Sequence, residues 1–176
     1  MIEKQNYSFV FMGVSGSGKS SVAEAVAKKL NVPFLDGDFL HPRANIEKMA
    51  LGLPLNDEDR IPWLQTLNSA IYAMQRTHAI SILVCSALKQ TYRNMLREGN
   101  EGLYFIYLQG NFDVIAERLK NRNGHFFKAE MLKSQFDALE EPVNDHNDIG
   151  YISIDKPLEQ TIEDALDFIN GVLNKK

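Results

Sequence analysis

The sequence predicts an α/β protein, three layers deep, with helices on both faces of a parallel sheet. Two observations carry that expectation. Short continuous apolar runs alternate along the chain with longer stretches whose apolar residues recur at helical spacing, and a strand that is apolar on both faces belongs in a covered parallel sheet. The first apolar run also ends in a glycine-rich segment that opens directly into a helical stretch.

Each element follows in order. Residues 8–12 are a short apolar run ending at Gly13 and read as a buried strand. Residues 19–30 carry Val22, Ala23, Val26, Ala27 and Leu30 at helical spacing. Residues 32–35 read as a second strand, residues 42–51 as a helix with Pro42 in its first turn, and residues 53–60 as a loop. Trp63, Leu64, Leu67, Ala70, Ile71 and Met74 form one helical stripe. Residues 80–85 are the third strand, and residues 89–98 a helix that stops near Gly99. The fourth strand is 103–108, followed by helices over 113–122 and 129–140 flanking Asn123-Gly124. A fifth strand at 151–154 precedes a closing helix, 158–173, with Leu158, Ile162, Leu166 and Ile169 on one face.

The 176 residues suit a single domain spanning 1–176. With 44% apolar and 24% charged residues, the composition excludes a disordered, collagen-like or long coiled-coil protein. A net charge of −4 argues against a general nucleic-acid binder. The lone Cys85 can neither form an internal disulfide nor build a zinc site, which fits a reducing compartment. The apolar runs at 9–14 and 80–84 fall far short of the ~18 residues of a membrane span. Residues 1–6 lack an apolar signal core, so a cytoplasmic location without membrane partners is expected.

The sharpest signal is Gly13-Val14-Ser15-Gly16-Ser17-Gly18-Lys19-Ser20, a full match to G-x-x-x-x-G-K-[ST] between a strand and a helix. Three glycines let the backbone curl until several N–H groups face one anion. The helix that follows adds its positive end. Lys19 can reach the terminal phosphates of a nucleotide, and the Ser20 hydroxyl can ligate Mg²⁺. The third strand does not end in the aspartate that ATPases of this class place there, and no Asn-Lys-x-Asp run reads guanine. Acid appears instead as Asp36-Gly37-Asp38 after the second strand. One of these carboxylates can hold Mg²⁺ and the other can accept the proton of an attacking hydroxyl. The plainer alternative is an Asp-Gly-Asp surface turn.

Here the chain resembles the gluconate kinases. The resemblance rests on Asp36-Gly37-Asp38-Phe39-Leu40-His41-Pro42 with Asn45, Lys48 and Met49, and on Pro54-Leu55-Asn56-Asp57 with Asp59-Arg60, Pro62 and Trp63. Further along, it rests on Cys85-Ser86-Ala87-Leu88-Lys89 with Tyr92-Arg93, on Arg118 and Arg122 with Gly124-His125-Phe126, and on Ser134-Gln135-Phe136 with Leu139-Glu140. It implies transfer of a phosphoryl group from ATP to D-gluconate with Mg²⁺, usually by a homodimer. It also implies a P-loop kinase architecture like that of nucleoside-monophosphate kinases. This has a five-stranded parallel core, an acceptor-binding helical region (about 38–77 here) and a mobile lid (about 118–128 here).

Gluconate is a polyol with one carboxylate, so its site needs several hydrogen-bonding groups and at least one cation. Asp38, His41, Asn45, Lys48 and Arg60 offer these. Ser86 and Lys89 lie just past the third strand, where open α/β sheets collect ligands. Asp36 and Ser20 are the metal candidates, and Lys19, Asp38, Arg118 and Arg122 the catalytic ones. Blander readings compete: Lys48 as part of a solvated helix face, His41 as a helix cap, Arg60 as a loop ion pair, Trp63 and Cys85 as core. Arg118 and Arg122 are four apart and share a helix face. Carried on a hinged segment, they suit the charge of a transferring phosphoryl group, or they form a solvated basic face. Asp155-Lys156-Pro157 is expected near the adenine. Two other readings stay open: another small P-loop kinase, such as a shikimate kinase, and a nucleotide-binding regulator without catalysis.

Overall fold

Tyr7–Met12 (β1) alternates its side chains across the sheet, Phe9 and Phe11 to one layer, Val10 and Met12 to the other, and all four are essentially unexposed. It is the central strand of five. With Phe34–Asp36 (β2), Ile80–Val84 (β3), Leu103–Gln109 (β4) and Ile149–Ser153 (β5) it forms a sheet in the order β2-β3-β1-β4-β5. Every pairing is parallel. The structure is a computed structural model that describes residues 5–124, 128–143 and 146–175.

Among the described residues, seven α-helices connect and cover the strands. They are Lys19–Leu30 (α1), Arg43–Ala50 (α2), Asp57–Thr77 (α3), Gln90–Arg97 (α4), Phe112–Asn123 (α5), Ala129–Ala138 (α6) and Leu158–Leu173 (α7). One apolar layer gathers Val22, Val26, Ile162 and Ile169 against Phe9, Phe11 and Ile106. The other packs Trp63, Leu64, Leu67, Ile71 and Leu96 against Val10, Met12 and Phe105. The three-layer α/β/α expectation therefore holds, with five parallel strands. No described helix is long and apolar enough to cross a membrane.

The boundaries differ from the sequence reading in three instructive places. β2 starts at Phe34, because Pro33 has no N–H to give the ladder, and it runs on to Asp36. Residues 57–60, expected as loop, are the first turn of α3. Asn56 accepts from the Asp59 N–H and Asp59 accepts from the Asn56 N–H, a reciprocal cap that three acidic residues in the first turn reinforce. α6 stops at Ala138 rather than 140 because Glu140 N–H turns to the carbonyl of Leu88 at 2.7 Å. α5 ends at Asn123, and Gly124 takes a φ of 58°. His125, Phe126 and Phe127 lie outside the described residues.

Candidate active site

The glycine-rich loop leaves the C-terminal end of β1, with β3 on one side and β4 on the other. Gly13, Gly16 and Gly18 all have positive φ. At Gly16 a side chain is excluded for a second reason: a Cβ there would sit 2.7 Å from the Leu119 side chain of α5. Lys19 opens α1 and folds back so that Nζ donates to the Val14 carbonyl at 3.0 Å. Burial pushes the Lys19 ammonium below its usual range, against the pull of Asp38. Gly13 to Ser20 thus form one cradle, and Gly13, Val14 and Ser17 are its buried members.

The acidic turn lies beside this cradle. β2 delivers Asp36 to the end of the sheet, and Asp36 accepts from the Asp38 N–H at 3.0 Å, capping a short 3₁₀ turn at Gly37–Leu40. Gly37 is buried over the end of β3, where a Cβ would meet the Val84 carbonyl at 2.4 Å. Ser20 Oγ and Asp36 Oδ2 stand 3.5 Å apart. The Asp38 carboxyl is pushed above the ordinary carboxylate range, first by lost hydration and next by the Asp36 charge. Lys19 and His41 oppose that shift, which places all four groups within electrostatic reach. The residue as a whole stays exposed.

α2 and α3 organise the next group. His41 stacks on Trp63 with ring centroids 4.1 Å apart, and Trp63 is buried with its indole N–H on the Gly37 carbonyl at 2.8 Å. Trp63 is core, with His41 on one face. Asn45 is buried, and its amide nitrogen meets the Asp59 carbonyl and His41 Nδ1. A carbonyl only accepts, so that nitrogen is the donor to both, and the His41 proton sits on Nε2. Burial holds the imidazole below its usual pKa, keeping it neutral.

A cavity of about 370 Å³ follows, lined by Asn56, Asp57, Arg60, Ser86, Lys89 and Tyr92, with Ser134 and Ala138 of α6 among its other walls. Arg60 and Lys89 lie 5.6 and 5.7 Å from the Tyr92 ring centre. Asp57 receives the Tyr92 hydroxyl and the Lys89 ammonium, which together hold its carboxyl well below the usual range. Arg60 also donates to the Leu55 carbonyl at 2.7 Å.

Three expected residues are placed differently. Lys48 binds Asp59 at 2.6 Å and so ties α2 to the cap of α3, while Arg60 and Lys89 supply the cations of the cavity. Arg118 and Arg122 separate: the Arg118 guanidinium donates to the Ile154 carbonyl at the end of the sheet, beside Asp155 and Lys156, while Arg122 is exposed. The fold brings the carbonyl just past the end of β5 within reach of Arg118, which the helical spacing could not show. Cys85 is buried and its thiol is pushed up to about 12, so it stays protonated.

Sequence reasoning about roles passed over Asp57, Tyr92, Arg93 and Gln135. Tyr92 is three residues past Lys89 on one helical turn, a spacing that was available. Buried Arg93 reaches the carbonyls of Ala87 and Glu140, clamping the β3–α4 loop, where Ala87 takes a φ of 46°. Nothing local in the sequence marks those contacts.

The chain matches a family model described as shikimate kinase over residues 15–169. It is 61% identical to the thermoresistant gluconokinase of Escherichia coli K12 over 161 residues, 92% of each chain. It is 46% identical to the thermosensitive gluconokinase of the same organism over 156 residues, 89% of this chain and 83% of that one. Among solved structures it resembles a gluconokinase from Sinorhizobium meliloti 1021 with a TM-score of 0.86 and 40% identity, covering 97% of this chain and 95% of that one.

Proposed function

The chain belongs to the gluconokinase family of shikimate-kinase-like enzymes, and from that premise we propose that it transfers the γ-phosphoryl group of ATP to D-gluconate, giving ADP and 6-phospho-D-gluconate. The observation that carries the reading is the placement of Asp38. It lies within electrostatic reach of Lys19 on the phosphate loop and of His41, which is in turn within electrostatic reach of Arg60 in the cation-lined cavity.

The roles follow from the geometry. Backbone N–H groups of the loop bind the phosphates, and Lys19 neutralises charge that grows on them. Asp38 accepts the proton of the attacking terminal hydroxyl as the new O–P bond forms and the bond to the bridging oxygen of ADP breaks. A neutral His41 offers its Nε2–H, and Arg60 with Lys89 faces the substrate carboxylate. Ser20 Oγ and Asp36 Oδ2, a hydroxyl and a carboxylate 3.5 Å apart, are the hard oxygen donors that Mg²⁺ takes alongside phosphate and water. When bound, Mg²⁺ would neutralise charge on the phosphates. The segment 118–128 serves as a lid over the nucleotide, and residues 38–77 as the acceptor region, within one domain. A homodimer in the reducing cytoplasm, with no nucleic-acid partner, completes the reading. The single buried thiol supports the compartment.

The test is ADP release with Mg-ATP over a panel of sugar acids, polyols and shikimate. Gluconate is expected to stimulate release far more than glucose or shikimate. Equal turnover of shikimate would favour that sister activity, and no stimulation by any of them would leave a nucleotide-binding regulator.

A further inference from the structure

Gln135 of α6 grips the phosphate loop across 120 residues of sequence. Its amide oxygen accepts from the Ser15 backbone N–H at 2.6 Å, and its amide nitrogen meets Ser15 Oγ at 2.8 Å. A backbone N–H only donates, so the amide has one orientation and its NH₂ donates to the hydroxyl. The backbone N–H and the hydroxyl of Ser15 are thereby held by one side chain.

The same helix reaches the other substrate. Ser134 and Ala138, one turn apart, line the cavity with Arg60 and Lys89. Beyond its last turn, Glu140 is fixed to the β3–α4 loop. Its N–H donates to Leu88, its side chain accepts from Gln90 N–H at 3.3 Å, and its carbonyl accepts from Arg93 at 2.9 Å. That loop carries Ser86 and Lys89. α6 is therefore a bar of about 15 Å that meets the phosphate loop through Gln135 and the acceptor cavity through Ser134 and Ala138, while Phe136 packs on Phe112 of α5 and Leu132 is buried in the core.

We infer that Gln135 is a positioning residue that couples nucleotide binding to acceptor binding through α6. The inference rests on the gluconokinase reading and adds a role that the reaction itself does not require. A phosphate loop that closes on its anion moves Ser15. Ser15 carries Gln135, and Gln135 carries the wall formed by Ser134 and Ala138. Linkage makes the effect reciprocal: nucleotide tightens the acceptor by the factor by which the acceptor tightens nucleotide.

The experiment is calorimetric titration of gluconate, with and without a saturating non-hydrolysable ATP analogue and Mg²⁺, in the wild type, Gln135→Met and Ser15→Ala. Methionine keeps the length and helix propensity of glutamine and removes both polar atoms. The wild type should bind gluconate roughly 5-fold or more tightly when nucleotide is present, the lower end of ordinary coupling. In Gln135→Met the ratio should fall to near one. Ser15→Ala, which removes only the Oγ partner, should lose part of it, so the inference stays testable if the first variant does not fold. A merely structural contact would lower thermal stability and leave the ratio unchanged. An unchanged ratio in a folded variant, or a wild-type ratio of one with gluconate bound, overturns the coupling role alone. A wild type that binds no gluconate in either condition overturns the substrate reading and this role with it.

Discussion

Trp63 donates its indole N–H to the carbonyl of Gly37 at 2.8 Å, so the buried ring of the longest helix fixes the turn that carries both acidic residues. Trp63→Phe keeps most of the apolar volume and leaves that carbonyl without its donor, a loss of ~1–3 kcal/mol if water does not replace it. Chemical denaturation should show the loss. Steady-state kinetics should show kcat falling more than the KM for ATP rises.

Gly37→Ala tests the same turn by steric means. The added Cβ would fall 2.4 Å from the Val84 carbonyl, a backbone atom that cannot swing aside. The turn must lift from β3, at ~1–3 kcal/mol of overpacking. A displacement near 1 Å at the proton acceptor costs on the order of 10²-fold in rate. Both a lower Tm and a lower kcat are expected.

Asp38→Asn should separate stability from activity. The folded-state pKa of Asp38 lies above its unfolded value, because of lost hydration and then Asp36. Between those two values the folded state binds more protons, so stability falls as pH rises through that window, and at neutral pH the ionised Asp38 is a burden. The asparagine variant should therefore melt higher than wild type at pH 7 while kcat drops ~10²–10⁴-fold. In the wild type, kcat/KM should decline as acid protonates Asp38, at a pH above the ordinary carboxylate range. A melting temperature below wild type at pH 7 would contradict the charge argument.

The two lysines near the acceptor should part in function. Lys48→Ala removes a 2.6 Å ion pair to the α3 cap and should cost about 1 kcal/mol of stability, with a modest change in the KM for gluconate. Lys89→Ala and Arg60→Ala should each raise that KM about 10-fold or more, the cost of a lost charged hydrogen bond, and leave the KM for ATP within a few fold. Parallel kinetics on the three variants decide the matter.

The arginines of α5 should part as well. Arg118 is spent on the Ile154 carbonyl beside Asp155 and Lys156, so Arg118→Ala should mainly raise the KM for ATP. Arg122 is exposed on the last turn, and Arg122→Ala should lower kcat by ~10²-fold or more if it closes on the transferring group. Hydrogen exchange over 118–124 with and without nucleotide reads the closure directly.

The sequence by itself determined whatever depends on neighbours along the chain. The loop Gly13 to Ser20 needs its glycines, lysine and serine contiguous, and the apolar periods of β1, α1 and α7 report the buried face, except that Leu158 at the start of α7 stays exposed. The acidic pair was legible because both carboxylates sit within one turn. Tertiary structure alone decided which partner each long polar side chain took. Lys48 could face a substrate or Asp59, and only the crossing of α2 over the α3 cap chose Asp59. Arg118 went to a strand-end carbonyl 36 residues away, Tyr92 to Asp57 at 35, and Gln135 to Ser15 at 120. A flexible cation or amide has many acceptors of similar strength. The choice among them is a matter of distance in the folded protein, set by how the layers pack.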